Sequence, residues 1–396
     1  MFLERQDNNA DLAILVLLFK CVEKYLKIMR YKNMKKIFVI CVALALLVFG
    51  FSDVVVHAEE NSVTPINIYY GNTNLNCEWK VSRTSVYSLT NKILTTQNFS
   101  RYGSTDTFFI TQHDGADTYL IRCTLSSGIL TAQDFCILPG YGHGESVEVT
   151  GYNSATNTYT VWIGSDYNVS SGNYYWSKNI SRVNYTVTGN DQASTTTVKI
   201  SNILGAINES GSSNRSAVCV AENDNRICLC TQKNDDDGNW FYIVYALSDL
   251  NAALDQLQSG ASYSLSSLNL TIKSAFSLTD TSLPNGSFQA IDNDGVGANN
   301  KFLFIAGGSS NNNAKIDQYL YTNGGNINKV NQYIFHTTEV PDNLPESDEQ
   351  AFLKNAEIEG IKIYTVNGTD YMFIMFREQG SSKRARIFSY PVSSNN

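Results

Sequence analysis

The residues that could do chemistry recur at one period. Glu145, Ser216, Gln289 and Glu359 open the short segments Glu145-Ser146-Val147, Ser216-Ala217-Val218, Gln289-Ala290-Ile291 and Glu359-Gly360-Ile361. The steps between them are 71, 73 and 70 residues. A fixed period of this kind puts equivalent residues at equivalent places in repeated units. His143 and Glu357 stand close to two of these openings, and Asn355 stands two residues before Glu357. The candidate ring is therefore His143, Glu145, Ser216, Gln289, Asn355, Glu357 and Glu359. Such a ring would bind a ligand at one mouth of a repeat protein, or would cap strands and hydrogen-bond the next unit. Glu145 and Glu359 facing each other at about 5–10 Å would also meet the spacing of a glycoside hydrolase.

Other chemistries find little support. Past residue 58 the histidines are His113, His143 and His336, too few for a histidine-rich metal site. Asp292–Gly295 ("DNDG") and residues 234–238 ("NDDDG") resemble the start of a calcium loop but lack its distal glutamate, so they read as hairpin turns. There is no H-E-x-x-H, G-x-S-x-G or Walker A sequence. No cofactor or metal is expected. Six cysteines follow residue 58, with no C-x-x-C pair. Residues 217–230 ("AVCVAENDNRICLC") read as a hairpin turning at Asp224-Asn225. That turn would set Cys219 opposite Cys230 as a candidate disulfide.

The elements that must position these residues are strands. Each opening leads through a turn rich in Asn, Asp and Gly to a more apolar run: "YTVWIG", "ICLCTQ", "FLFIAG" and "MFIMF". Third strands are expected at 178–187, 240–250, 314–321 and 385–392, and fourth strands at 195–203, 268–278 and 331–336. A fainter copy lies upstream, at 92–98, 106–112, 118–125 and 129–138. The last unit lacks its own fourth strand, and a spare strand, "TPINIYYG" (64–71), precedes the first. These patterns predict an all-β fold: a five-bladed β-propeller of four-stranded antiparallel blades, with the N-terminal strand completing the last blade.

Composition fits export. Only 17% of the 396 residues are charged, and Tyr is frequent. From Met34 the chain has a basic start (Lys35, Lys36), a fifteen-residue apolar run from Ile37 to Phe51, and Val56-His57-Ala58 as a cleavage site. This predicts a signal peptide over 34–58. It leaves 1–33 as an upstream extension and 59–396 as one propeller domain of five repeats of about 70 residues. Residues 59–396 carry 21 basic and 32 acidic side chains, a net charge of −11. Nucleic acid is thereby disfavoured as a partner, since it needs a basic footprint.

The ordered set "GHGESVEV", "VWIG", "YYWSKNISRVNYTV", "YIVYALSDLNAALDQLQSG", "SFQAIDNDG" and "NAEIEGIKI" resembles the helveticin J family over roughly residues 100–395. These are the large, heat-labile class III bacteriocins of lactic acid bacteria. The resemblance implies a secreted antibacterial protein acting at the envelope of related Gram-positive bacteria. In several family repeats a His stands two residues before the acidic residue. Here His143 and Glu145 keep that pattern, whereas Asn355 before Glu357 and Asn214 before Ser216 depart from it. The expected activity is non-enzymatic, in a monomer binding a bacterial cell-wall or surface glycan or receptor. The alternatives are a carbohydrate-binding adhesin or lectin, and a wall-degrading glycosidase using Glu145 and Glu359.

Overall fold

The computed structural model describes residues 56–57, 63–71, 73–221, 224–294, 301–308, 312–323, 326–337 and 347–392. All of them belong to one compact unit, Asp53–Asn396. The extension and nearly all of the leader lie outside the described residues. Among the described residues no helix is long and apolar enough to cross a membrane.

Among the described residues the protein is all-β with three short α-helices. In chain order the strands are β1 (Val56–His57), β2 (Ile66–Ile68), β3 (Asn76–Val81), β4 (Thr95–Arg101), β5 (Thr107–Asp114), β6 (Asp117–Ser126), β7 (Ile129–Leu138), β8 (Val147–Asn153), β9 (Thr158–Tyr167), β10 (Ser177–Thr186), β11 (Ser194–Ser201) and β12 (Ser213–Ala221). There follow β13 (Arg226–Lys233), β14 (Trp240–Ala246), β15 (Ser262–Ser264), β16 (Ser274–Leu278), β17 (Ala290–Asp294), β18 (Lys301–Gly307), β19 (Ala314–Tyr321), β20 (Ile327–Phe335), β21 (Ala356–Val366), β22 (Thr369–Glu378) and β23 (Ala385–Pro391). The helices are α1 (Arg83–Thr90), α2 (Leu247–Asp255) and α3 (Asp348–Leu353). Capping fixes two of their starts: Ser82 accepts from Ser85 N–H, and Ser347 forms a capping box with Gln350.

Five antiparallel runs of four neighbouring strands can be traced through the sheets: β4-β5-β6-β7, β8-β9-β10-β11, β12-β13-β14-β16, β17-β18-β19-β20 and β21-β22-β23-β3. The first and last share one sheet through a short parallel pairing of β3 with β7. Each hydrophobic core lies between two consecutive runs. Phe109 and Leu120 meet Val161 and Ile163; Trp162 and Ile180 meet Leu229 and Ile243; Tyr242 and Phe276 meet Ile305 and Tyr319. Phe304 and Tyr333 meet Ile374 and Phe388, and Met375 and Ile387 return to Phe108 and Ile121 of the first run. A strand packed on both faces loses its polar alternation, which is why every residue of β14 ("WFYIVYA") is buried.

Three sequence expectations are corrected here. The spare strand 64–71 does not meet the last strand. Its core, β2, pairs in parallel with β20, and β3 pairs antiparallel with β23 instead. Trp79 of β3 explains the choice, because it stacks on Phe373 at 4.7 Å and meets Phe108 edge-on at 4.9 Å. The hairpin between β12 and β13 closes with Ala221 opposite Arg226, so its loop takes four residues rather than two. Cys219 therefore faces Cys228, Cys230 faces Ala217, and all six described cysteines are free thiols. Finally, Asp292–Asp294 belong to β17 rather than to a turn.

Candidate functional site

The N-terminal ends of β4, β12 and β21, together with the residues leading into β8 and β17, enclose a cavity of about 630 Å³. Each run contributes at least one polar residue to its lining, among them Gln97, Glu145, Arg215, Gln289 and Glu359. Bulges turn two of them inward. Between Thr96 and Asn98, and between Ile358 and Gly360, one residue is left without a cross-strand partner. Those residues are Gln97 and Glu359, and a bulge of this kind re-aims the extra side chain. Gly360 follows because a Cβ there would stand 3.0 Å from Asn98 Oδ1 on the adjoining strand.

Glu145 is 5% exposed and is clasped by Arg215. Arg215 Nε donates to Oε2 at 2.6 Å, and Nη2 donates to Oε1. The guanidinium lies over the rings of Trp176 (4.9 Å), Phe288 (5.1 Å) and Trp240 (6.0 Å). Burial raises the Glu145 carboxyl, while Arg215 opposes the shift. On the facing hairpin Arg377 Nε donates to Glu359 Oε1 at 2.5 Å, and its Nη2 stands 3.4 Å from Glu357 Oε1. Burial pushes Glu359 up to about 8, with Arg377 opposing. Burial raises Glu357 too. The cavity thus holds three carboxyl groups, each in contact with one of two arginines.

His143 sits in the turn 140–144. A Cβ at Gly142, where φ is +93°, would lie 2.3 Å from the carbonyl oxygen of Tyr175, so only glycine fits. Thr118 and Thr111 hydroxyls donate to the carbonyls of Gly142 and Gly144, each at 2.6 Å. So held, His143 stacks on His113 at 4.3 Å and hydrogen-bonds through Nδ1 to the carbonyl of Tyr174 at 2.5 Å. Burial lowers both imidazoles to about 4, so both are neutral at pH 7. At the rim Tyr174, 62% exposed, stacks on Trp176 at 5.1 Å.

Of the residues expected in the ring, His143, Glu145, Gln289, Glu357 and Glu359 line this cavity. Ser216 does not. It is buried, bonding Lys178 O and Thr231 Oγ1, each at 2.9 Å, and Arg215 takes the inward place. Asn355 is exposed at the end of α3, donating to Ala351 O at 3.3 Å. The sequence reading missed Gln97, His113, Trp176, Arg215 and Arg377. Arg215 had one available signal, since it stands 70 residues after Glu145.

Among the described residues no group of His, Cys, Asp and Glu is spaced to hold a metal ion. One polar group points to a ligand. Gln97 is 2% exposed, lines the cavity, and its Nε2 has no hydrogen-bond partner.

Residues 78–390 match a family model described as bacteriocin helveticin-J. No curated protein matches the chain. Among solved structures, the tail fibre of Staphylococcus aureus phage P68 aligns at 14% identity and a TM-score of 0.47, covering 82% of this chain and 54% of the fibre. The chain thus spans about half the length of that protein. A GH43 β-1,3-galactosidase solved with galactodeoxynojirimycin aligns at 9% identity and a TM-score of 0.43, covering 80% and 95% of the two chains. A Myceliophthora thermophila Cps50 (Swd1) β-propeller domain aligns at 10% identity and a TM-score of 0.32, covering 75% and 84%.

Proposed function

The chain belongs to the bacteriocin helveticin-J family, and from that membership we propose that it is a secreted antibacterial protein that binds a glycan on the envelope of related Gram-positive bacteria. It does so as a monomeric five-bladed β-propeller whose last blade is completed by β3, after export directed by residues 34–58. The closed order of the five cores supports the propeller. The observation that carries the binding reading is the cavity lined by polar residues from every run, with the Tyr174–Trp176 pair at its rim. Aromatic faces suit sugar rings, and the neutral imidazoles and unpartnered Gln97 amide suit their hydroxyls. Its carboxylates Glu145, Glu357 and Asp280 outnumber Arg215 and Arg377 even with Glu359 protonated, which favours a neutral glycan over an anionic polymer.

Purified protein is expected to bind walls of sensitive cells, to kill those cells, and to release no reducing sugar. Binding without killing across a broad panel of strains would make it an adhesin or lectin. A second reading, hydrolysis, is favoured by Glu359, whose buried carboxyl keeps its proton at neutral pH as a general acid would. Release of reducing ends by the wild type, lost in Glu359→Gln, would establish that reading instead.

A further inference from the structure

The same five strands line a second cavity, of about 340 Å³, at their C-terminal ends. Ser100, Glu148, Val220, Asp292 and Lys362 come one from each run. Lys362, only 2% exposed, donates to Glu148 Oε1 at 2.5 Å. Its Nζ is 3.8 Å from Asp292 Oδ1, beyond hydrogen-bond distance. Asp292 is 3% exposed. Its Oδ2 accepts from Ile363 N–H at 2.6 Å, but its Oδ1 has no hydrogen-bond partner. Asn293, also 3% exposed, accepts from the Tyr321 hydroxyl at 2.9 Å while its Nδ2 donates to nothing.

Two buried carboxylates thus share one ammonium, and the sharing is uneven. Burial pushes Asp292 up to about 6 despite Lys362. A buried acceptor left unmade is destabilising, and a ligand that satisfies it recovers that cost. The acceptor Asp292 Oδ1 asks for a cationic N–H donor, whereas Asn293, its neighbour on β17, faces the other side of the strand toward Tyr321. A compact –NH₃⁺ group has three donors to offer. The donor set is not spaced for a metal.

We propose that this cavity is a second binding site, taking a primary ammonium group at Asp292 Oδ1. It does not depend on the glycan reading of the first cavity.

The test is titration of the protein with ethanolamine, following the ¹³C resonance of the Asp292 carboxyl, assigned by its loss in Asp292→Asn. The expected result is a saturable shift in the wild type. N-acetylethanolamine, which lacks the charge, and tetramethylammonium, which lacks N–H donors, are expected to give none. Binding in Asp292→Asn, read by calorimetry beside the wild type, should be roughly tenfold or more weaker. Tighter binding of glucosamine than of ethanolamine would assign the amine to a sugar, and equal binding to the ammonium alone. No saturable shift with ethanolamine in the wild type overturns the proposal whatever the variant does. An equal response to tetramethylammonium overturns it as well.

Discussion

The two ends of the inner strands solve the same problem differently. Both bury carboxylates at the meeting point of all five runs. At the N-terminal ends two arginines serve three carboxyl groups: Arg215 holds Glu145 alone and is seated on three aromatic rings, while Arg377 bonds Glu359 with Glu357 at 3.4 Å. At the C-terminal ends one lysine serves Glu148 and Asp292 together. A guanidinium is planar and forked and meets a carboxylate with two parallel bonds, whereas an ammonium is a point charge. The first cavity is therefore rigid and internally matched, with polarity left over at Gln97. The second retains an open acceptor on Asp292 itself. Charge pairing sets which groups are left for a ligand.

The sharpest way to break this comparison is to remove the better-seated cation. Arg215→Ala leaves Glu145 buried without a countercharge, a loss of about 3–5 kcal/mol. It should appear as a lower denaturant midpoint. Arg215→Lys is expected to recover only part of it, because lysine cannot make the two-pronged contact. Full recovery by lysine would mean that the two ends are held alike.

Next in size is the dependence on pH. Glu359, raised to about 8, binds its proton more tightly folded than unfolded. Stability attached to it is present at low pH and is lost as pH rises from the ordinary carboxyl range through about 8. His113 and His143, lowered to about 4, act in the opposite sense, losing stability as pH falls from 6.5 to about 4. Between pH 6.5 and 8 Glu359 acts with neither imidazole against it. Stability should fall there by up to about 1.4 kcal/mol per pH unit. Glu359→Gln should flatten that limb, as read from urea midpoints across the range. An unchanged slope would show that Arg377 keeps Glu359 ionised throughout.

These residues also mark how far the sequence could be read. The all-β class was legible because β-rich runs recur at a fixed step with turn residues between them. The inward places of Glu145, Gln289 and Glu359 were legible for the same reason. Ser216 was misplaced because matching "SAV" to "EGI" assumes equal strand geometry, and β12 has its bulge between Ser213 and Arg215. A one-residue slip exchanges the two faces of a strand, so Arg215 points where Ser216 was expected. Arg377, His113 and Trp176 were illegible for another reason. They come from second and third strands or loops whose approach to the cavity is set by packing between runs.

At the rim the expected effects are smaller. Tyr174 is 62% exposed, so Tyr174→Ala should change stability by no more than about 0.5 kcal/mol. Wall binding should weaken about three- to tenfold, the worth of one aromatic stacking face. Trp176→Ala should affect both, because Trp176 also floors Arg215. A pull-down on isolated walls, read beside thermal midpoints, separates the two. Unchanged binding in both variants would move the ligand away from this rim.

The smallest effect concerns the hairpin that connects the two ends. Cys230 has Arg215 and Glu145 in its electrostatic surroundings, whereas Cys219 has Asp292 and Glu148. A bridge between Cys219 and Cys230 would require the register in which a two-residue loop sets them opposite one another. In the observed register Cys219 faces Cys228, both are fully buried, and burial raises the Cys219 thiol. Reductant should therefore leave the thermal midpoint unchanged. A thiol reagent should find the described cysteines only after denaturation, since five of the six are buried and Cys77 is half-buried with its thiol pushed up to about 11. A midpoint that fell on reduction would shift the hairpin by two residues. Arg215 would then lose its present cross-strand partner, Gln232, and its seat beneath Glu145. The thiol titration thus tests, through register alone, the placement on which the larger predictions rest.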